Sequence, residues 1–194
     1  MKLLTKLRSA PKGRAQETEE AARRAAVLAL LAALRPIVEQ IGMLESRIAD
    51  AVRVHPDGEI FLSLFRNSGS TLTAAKLLSE IGDRRERYPS TEALAADAGM
   101  SPVAKESGRR KVATFRRSCD KRLRDAMSTL ANSGRLHNRW AKDIYLRARE
   151  RGCDHPHAIR VLGRAWLRMI WRMWQDGVPY DPSKHGARKR SNAA

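Results

Sequence analysis

Apolar residues of the first third recur three and four apart. Val27, Leu30, Leu34, Ile37, Ile41, Leu44, Ile48 and Ala51 form one unbroken a/d seam, which predicts a helix over residues 17–55 and a coiled-coil partner for it. Pro36 lies inside the seam and predicts either a kink or the start of a second helix, because its ring displaces the carbonyl one turn back. The seam then has two routes to a partner, an antiparallel fold-back or pairing with another subunit. Pairing with sequence outside this chain is the favoured reading. His55-Pro56-Asp57-Gly58 closes the segment as a turn.

Shorter helical patterns follow. Thr71 to Ile81 places Leu72, Ala75 and Leu78 beside Leu77 and Ile81, with Gly82 as a stop. Ser90 is placed to cap a helix running to Ala98. Residues 100–117 lose helical periodicity, hold Pro102 and Gly108, and alternate at Val112-Ala113-Thr114-Phe115, which predicts a loop or a short hairpin. Three helices complete the pattern. One carries Cys119, Leu123, Ala126, Met127 and Leu130; one begins near Asn138 and aligns Trp140, Ile144 and Ala148. The last, about His157 to Gln175, turns Ala158, Leu162, Ala165, Trp166, Met169, Ile170 and Met173 inward. The predicted fold is mostly α: a basic start without order (1–16), a coiled-coil helix (17–55), a compact helical domain (56–182) and a basic tail (183–194).

Charge narrows the partners. Lys and Arg number 38 against 21 Asp and Glu, a net charge of +17. From Lys105 to Arg151 fifteen basic residues face five acids, so this quarter holds over half the surplus. Such a chain attracts polyanions, and nucleic acid is the first partner to consider. Cys119 and Cys153 have no paired spacing, which argues against a disulfide framework or zinc site and fits a reducing, cytoplasmic compartment. The apolar run Ala25 to Leu34 is too short by itself to span a bilayer and continues periodically past Arg35, so no membrane partner is expected.

Three places could carry chemistry. Phe61 to Ile81 has the helix–turn–helix layout of a phosphate-binding hairpin, but with Gly69 as its lone turn glycine an ordinary αα-turn serves equally. Ser107-Gly108 stands on the expected loop, followed by Arg109, Arg110 and Lys111, then Arg116, Arg117, Lys121 and Arg122. A serine attacking a phosphodiester needs an exposed hydroxyl and cations to offset the phosphorane's charge, and glycine beside it permits close approach of a phosphate. The plainer reading is a turn serine in a phosphate-gripping loop. On the last helix Arg160, Arg164, Arg168 and Arg172 recur every fourth residue, as a ridge tracking a nucleic-acid backbone or as a solvated face. No carboxylate cluster suited to Mg²⁺ is evident in the sequence, and no metal is expected on this chain.

The runs HPDGEIF, TAAKLLSEIGD, YPSTEALAADAGMSPVAKESG, FRRSCDKRLRDA, HPHAIRVLGRAWLRMIW and DGVPYDP, in order from His55 to about His185, resemble the C-terminal transposase domain of the IS110 group of insertion sequences, related to the Piv and MooV DNA invertases. The resemblance implies a bridge-RNA-guided recombinase. It would have an N-terminal RuvC-like domain whose four acidic residues bind Mg²⁺, a coiled coil, and this domain, whose serine attacks DNA to form a phosphoserine link. The matching serine is Ser107, with Gly108 and the basic residues after it on nucleic acid. It further implies DNA and guide RNA as partners, assembly through the coiled coil as homo-oligomer or hetero-assembly, and Mg²⁺ supplied by the acidic domain rather than by this chain. Two departures stand out. The acidic domain is not in this sequence, and the family's proline–glycine–apolar–glycine hairpin reads Asn67-Ser68-Gly69-Ser70 here. The alternative is a truncated, non-catalytic module for nucleic-acid binding and oligomerisation. A weaker third reading is a basic structural RNA-binding protein.

Overall fold

The computed structural model describes residues 2–10, 16–65, 70–107 and 110–185. The chain divides into two units, Met1–Ser46 and Arg47–Ala194. In the first, a short helix α1 (Lys2–Arg8) stands inside the start expected to lack order. The long helix α2 (Glu17–Val54) opens on Glu17, Glu19 and Glu20, acids that suit the positive end of a helix dipole. It runs through Pro36 without a break, so the fold-back hairpin is not formed. Its apolar residues lie open: Leu30 is 70% exposed, Leu34 53% and Ile41 50%. By length and composition alone α2 is also apolar enough to cross a bilayer, a test that other kinds of helix pass as well.

The second unit begins at Arg47 with the last two turns of α2, where Val52 is buried, nine residues before the start expected at 56. Helices α3 (Gly58–Leu62), α4 (Thr71–Ile81), α5 (Thr91–Asp97), α6 (Lys121–His137), α7 (Arg139–Glu150) and α8 (His155–Asp176) build it. The helix α6 is central, packing on α4, α7 and α8, while α8 also meets α5 and α3. Trp166, Trp174, Phe61, Leu77, Ile81, Leu123 and Leu162 are among the largest fully buried side chains. Trp166 meets Trp140 edge-on at 5.0 Å and Tyr180 at 5.3 Å between ring centroids. Deleting a side chain this large and this buried would cost about 3–5 kcal/mol.

Local chemistry fixes the starts of α5, α6, α7 and α8. The side chains of Ser90, Asp120, Asn138 and Asp154 accept the backbone N–H groups of Ala93, Leu123, Ala141 and His157 at 3.2, 3.0, 3.2 and 2.8 Å, which satisfies donors the helices cannot use internally. Asp154 as cap starts α8 two residues earlier than its apolar pattern suggested. Because α8 is packed on more than one side, Ile159, Leu167 and Trp174 are also buried, whereas Ala165 and Met169 are only partly so. The tail expected from residue 183 opens with a 3₁₀ turn, Pro182–His185.

Residues 100–117 form a hairpin. Strands β1 (Val103–Ser107) and β2 (Arg110–Thr114) pair antiparallel, from Val103 opposite Thr114 to Ser107 opposite Arg110. The chain reaches it through a Schellman turn at the end of α5. Gly99 takes φ +66°, its N–H donates to the Ala96 carbonyl at 3.0 Å, and the Met100 N–H donates to that of Ala95 at 2.9 Å. A side chain at Gly99 would also meet Cys119 Sγ at 2.8 Å.

Candidate nucleic-acid interface

The base of the hairpin closes against α8 to form a cleft of about 560 Å³. Met100, Pro102, Ile144, Val161 and Ala165 give it an apolar lining, and Arg116, Arg160, Arg164, Arg168 and His157 give it a cationic one. Met100 is nearly fully buried, and Gly163 lets it lie against α8: a Cβ there would come within 2.9 Å of its sulfur. No Asp or Glu lines the cleft among the described residues. Nor do its four arginines make an ion pair among them, although other arginines of the chain do. Arg85 grips Asp57, Arg122 lies 3.7 Å from Glu80 and Arg172 meets Asp176. The Arg116 Nε is buried with no acceptor. Unneutralised guanidinium groups on a concave surface suit an anion.

Phe115, which follows β2, separates this cleft from a second recess of about 460 Å³ lined by Arg124, Ser128, Asn132 and His155. The Phe115 ring is 40% exposed, with the Arg160 and Arg124 guanidinium carbons 4.8 and 5.5 Å from its centroid. Such cation–π contacts hold flexible arginines near one place while leaving their N–H groups free to donate.

Of the residues singled out in the sequence, Arg116 enters the cleft. Arg117 and Lys121 are exposed and do not line it, and Arg122 is drawn toward Glu80 on α4 because Asp120 caps α6 and turns the chain there. Ser107, Arg110 and Lys111 are placed by their backbones at the far end of the hairpin. Gly108, Arg109 and Gly69 lie outside the described residues. The arginine ridge supplies Arg160, Arg164 and Arg168 to the cleft and Arg172 to Asp176. Its four-residue spacing was legible. That its first three members face the hairpin was not, and neither was the role of Phe115.

One cluster has the composition of a cation site: ligand atoms of His55, Asp57 and Asp83 lie within 4.8 Å of one another. Its donors are already engaged. Both Asp57 oxygens accept from Arg85, at 2.5 and 2.6 Å, His55 Nδ1 accepts the Asp57 N–H at 3.1 Å, and His55 Nε2 faces Asp83 at 3.1 Å. A guanidinium occupies the place where a metal would need the carboxylate, so these residues do not fit Mg²⁺. The Asp57 carboxyl is held below its ordinary pKa chiefly by the Arg85 hydrogen bonds, which outweigh the opposing effect of burial.

Fold and cleft define a class, a small helical domain with one hairpin and a basic concave surface. Comparison with known proteins gives the family. Residues 68–146 match the description "Transposase IS116/IS110/IS902 family". The chain is 33% identical over 158 residues to the IS117 mini-circle transposase candidate of Streptomyces coelicolor, covering 81% of this chain and 38% of that protein. It is 30% identical over 145 residues to the uncharacterized 42 kDa protein of IS900 from Mycobacterium paratuberculosis (74% and 36%) and 29% identical over 156 residues to the uncharacterized 43.6 kDa protein of IS110 from S. coelicolor (80% and 38%). The chain belongs to the IS110 transposase family and corresponds to its C-terminal part. It spans under two fifths of the length of these relatives.

Proposed function

We propose that the chain is the DNA-facing part of a transposase. Its arginine cleft grips phosphates, and its hairpin presents Ser107 to a strand. The observation that carries this reading is the set Arg116, Arg160, Arg164 and Arg168, which share one concave surface with no acidic partner among the described residues. In the chemical step the Ser107 Oγ forms a bond to phosphorus. The bond from phosphorus to one sugar oxygen breaks, that oxygen leaves as a hydroxyl by taking up a proton, and the serine proton passes to a base. Neighbouring cations offset the charge that builds on the phosphoryl oxygens. The His55, Asp57 and Asp83 donors do not fit Mg²⁺, and the family resemblance assigns the metal to an acidic domain. Guide RNA would meet the same basic surface.

The exposed seam of α2 favours a second reading, in which the chain binds nucleic acid and oligomerises without cutting. One experiment with two readouts separates them. In a salt series with duplex DNA, the logarithm of affinity falls by about 0.9 per phosphate contact for each logarithm of salt. Replacing Arg160 and Arg164 by Gln should flatten that slope by about 1.8. A wild-type slope near zero would refute the basic-surface reading. With an acidic domain from a full-length relative and Mg²⁺ supplied, a protein–DNA adduct should form that Ser107→Ala abolishes. An adduct that survives the substitution removes Ser107 from the chemistry, and no adduct under any condition leaves the assembly reading.

A further inference from the structure

Two properties of the cleft go beyond what a duplex backbone needs. Phosphates of a paired duplex ride on the rims of its grooves, and a ridge of arginines on a convex face would meet them. Here three arginines of the ridge instead rim a hollow of about 560 Å³ whose lining includes Met100, Pro102, Val161 and Ala165. An apolar hollow edged by cations, with no carboxylate among its described lining residues, matches a group that is itself apolar and planar at one end and anionic at the other. A nucleotide has that composition, but only when its base is out of the stack; a paired base would first have to give up its partner and its stacking, at a cost of about a few kcal/mol that an unpaired base avoids.

The second property is the Phe115 wall. It is an aromatic ring between two recesses, 40% exposed, and Arg160 lines both recesses with it. Aromatic faces and guanidinium planes are the groups on which unpaired bases stack, whatever their sequence. The buried Arg116 Nε, which has no acceptor, adds a donor at the same wall.

We infer that the cleft between the hairpin base and α8 holds a single unpaired nucleotide, its base against Phe115 and the apolar lining and its phosphate on Arg116, Arg160 and Arg164. This rests on the proposed reading of the basic surface and specifies what that surface selects. The hairpin then gives the site a geometric relation to the chemistry. Thr114 lines the cleft while Ser107 pairs four residues further along the ladder, a separation of about 13 Å at the usual rise per residue. An extruded nucleotide would thus register the strand at a fixed distance from the serine.

The test uses the whole chain and four probes: a fully paired DNA duplex, the same duplex with one bulged nucleotide, and the RNA versions of both. Affinities come from fluorescence anisotropy, and a 2-aminopurine at the bulged position reports stacking. The bulged probe should bind about tenfold more tightly than the paired one, and its 2-aminopurine emission should be quenched. Val161→Trp, which fills the hollow, should bring the ratio of the two affinities close to one. Phe115→Ala should restore the emission, giving a check that does not depend on filling the cleft. The DNA and RNA arms show which sugar is accepted. Equal affinities for bulged and paired probes, or a preference unmoved by both substitutions, overturn the inference while a steep salt slope keeps the basic-surface reading. Binding to none of the four overturns both.

Discussion

Replacing Asp57 by Asn tests the best-defined polar contact in the second unit. The Asp57 residue is 8% exposed, and its carboxylate takes two N–H donors from Arg85, whose guanidinium carbon stands 4.6 Å from the Trp174 ring centroid. Removing one partner of a buried pair costs about 3–5 kcal/mol, because the other charge is left without compensation. Since the Arg85 side chain keeps 30% of its exposure, water recovers part of that loss, and the expected destabilisation is about 2–4 kcal/mol. For a domain of this size that lowers the thermal midpoint by roughly 5–15 °C, read by circular dichroism. The effect has a pH signature. The folded carboxyl titrates below its ordinary value of 3.8, so the pair contributes fully at pH well above 3.8 and fades as pH falls through the lower, folded value. The gap between wild type and Asp57→Asn should therefore be widest near neutrality and narrow in acid. Magnesium should leave the wild-type midpoint unchanged, since Arg85 already holds the carboxylate. Equal midpoints at neutral pH, or a gap that persists in acid below both carboxyl values, would refute the assignment of Asp57 as a buried ion-pair partner.

Other substitutions probe different links. Gly58→Ala would set a Cβ 1.8 Å from the Val52 carbonyl oxygen, a backbone atom that cannot rotate away, and should cost about 3 kcal/mol or more. Gly152→Ala, with open space but φ +84°, should cost only about 1 kcal/mol, and urea unfolding of both variants checks the contrast. Asn138→Ala removes the α7 cap and the donor to the Tyr180 hydroxyl at 2.9 Å, for an expected loss of about 1–2 kcal/mol by the same measurement. If the α2 seam pairs with a second copy, Ile41→Glu should shift the sedimentation profile of the full chain toward monomer. A wild-type chain already monomeric at high concentration would exclude self-pairing.

Much of the fold could be read along the chain because its cues are local. Three- and four-residue apolar spacing predicts the helices, and Ser90, Asn138 and Gly82 mark their ends through hydrogen bonds or torsions within a few residues. Loss of that spacing at 100–117, with the alternation before Phe115, marks the hairpin. Net charge and the arginine ridge pointed to a polyanion, and the order of motifs pointed to the transposase family. Local cues failed where the deciding partner was distant in sequence. Pro36 in isolation signals a break, yet α2 continues through it, since losing one N–H and one carbonyl bond is a small part of a long helix. Arg116 and Arg122 look alike in the chain, but packing of α6 on α4 brings Glu80 near Arg122, while the hairpin turns Arg116 toward α8. The sequence determined that this protein is basic and helical; the division it suggested at residue 55 falls instead at Ser46. Only the tertiary structure decided which of its arginines lack an acid partner among the described residues, because neutralising a charge depends on atoms a few ångströms away in space, and the chain does not order residues by that distance.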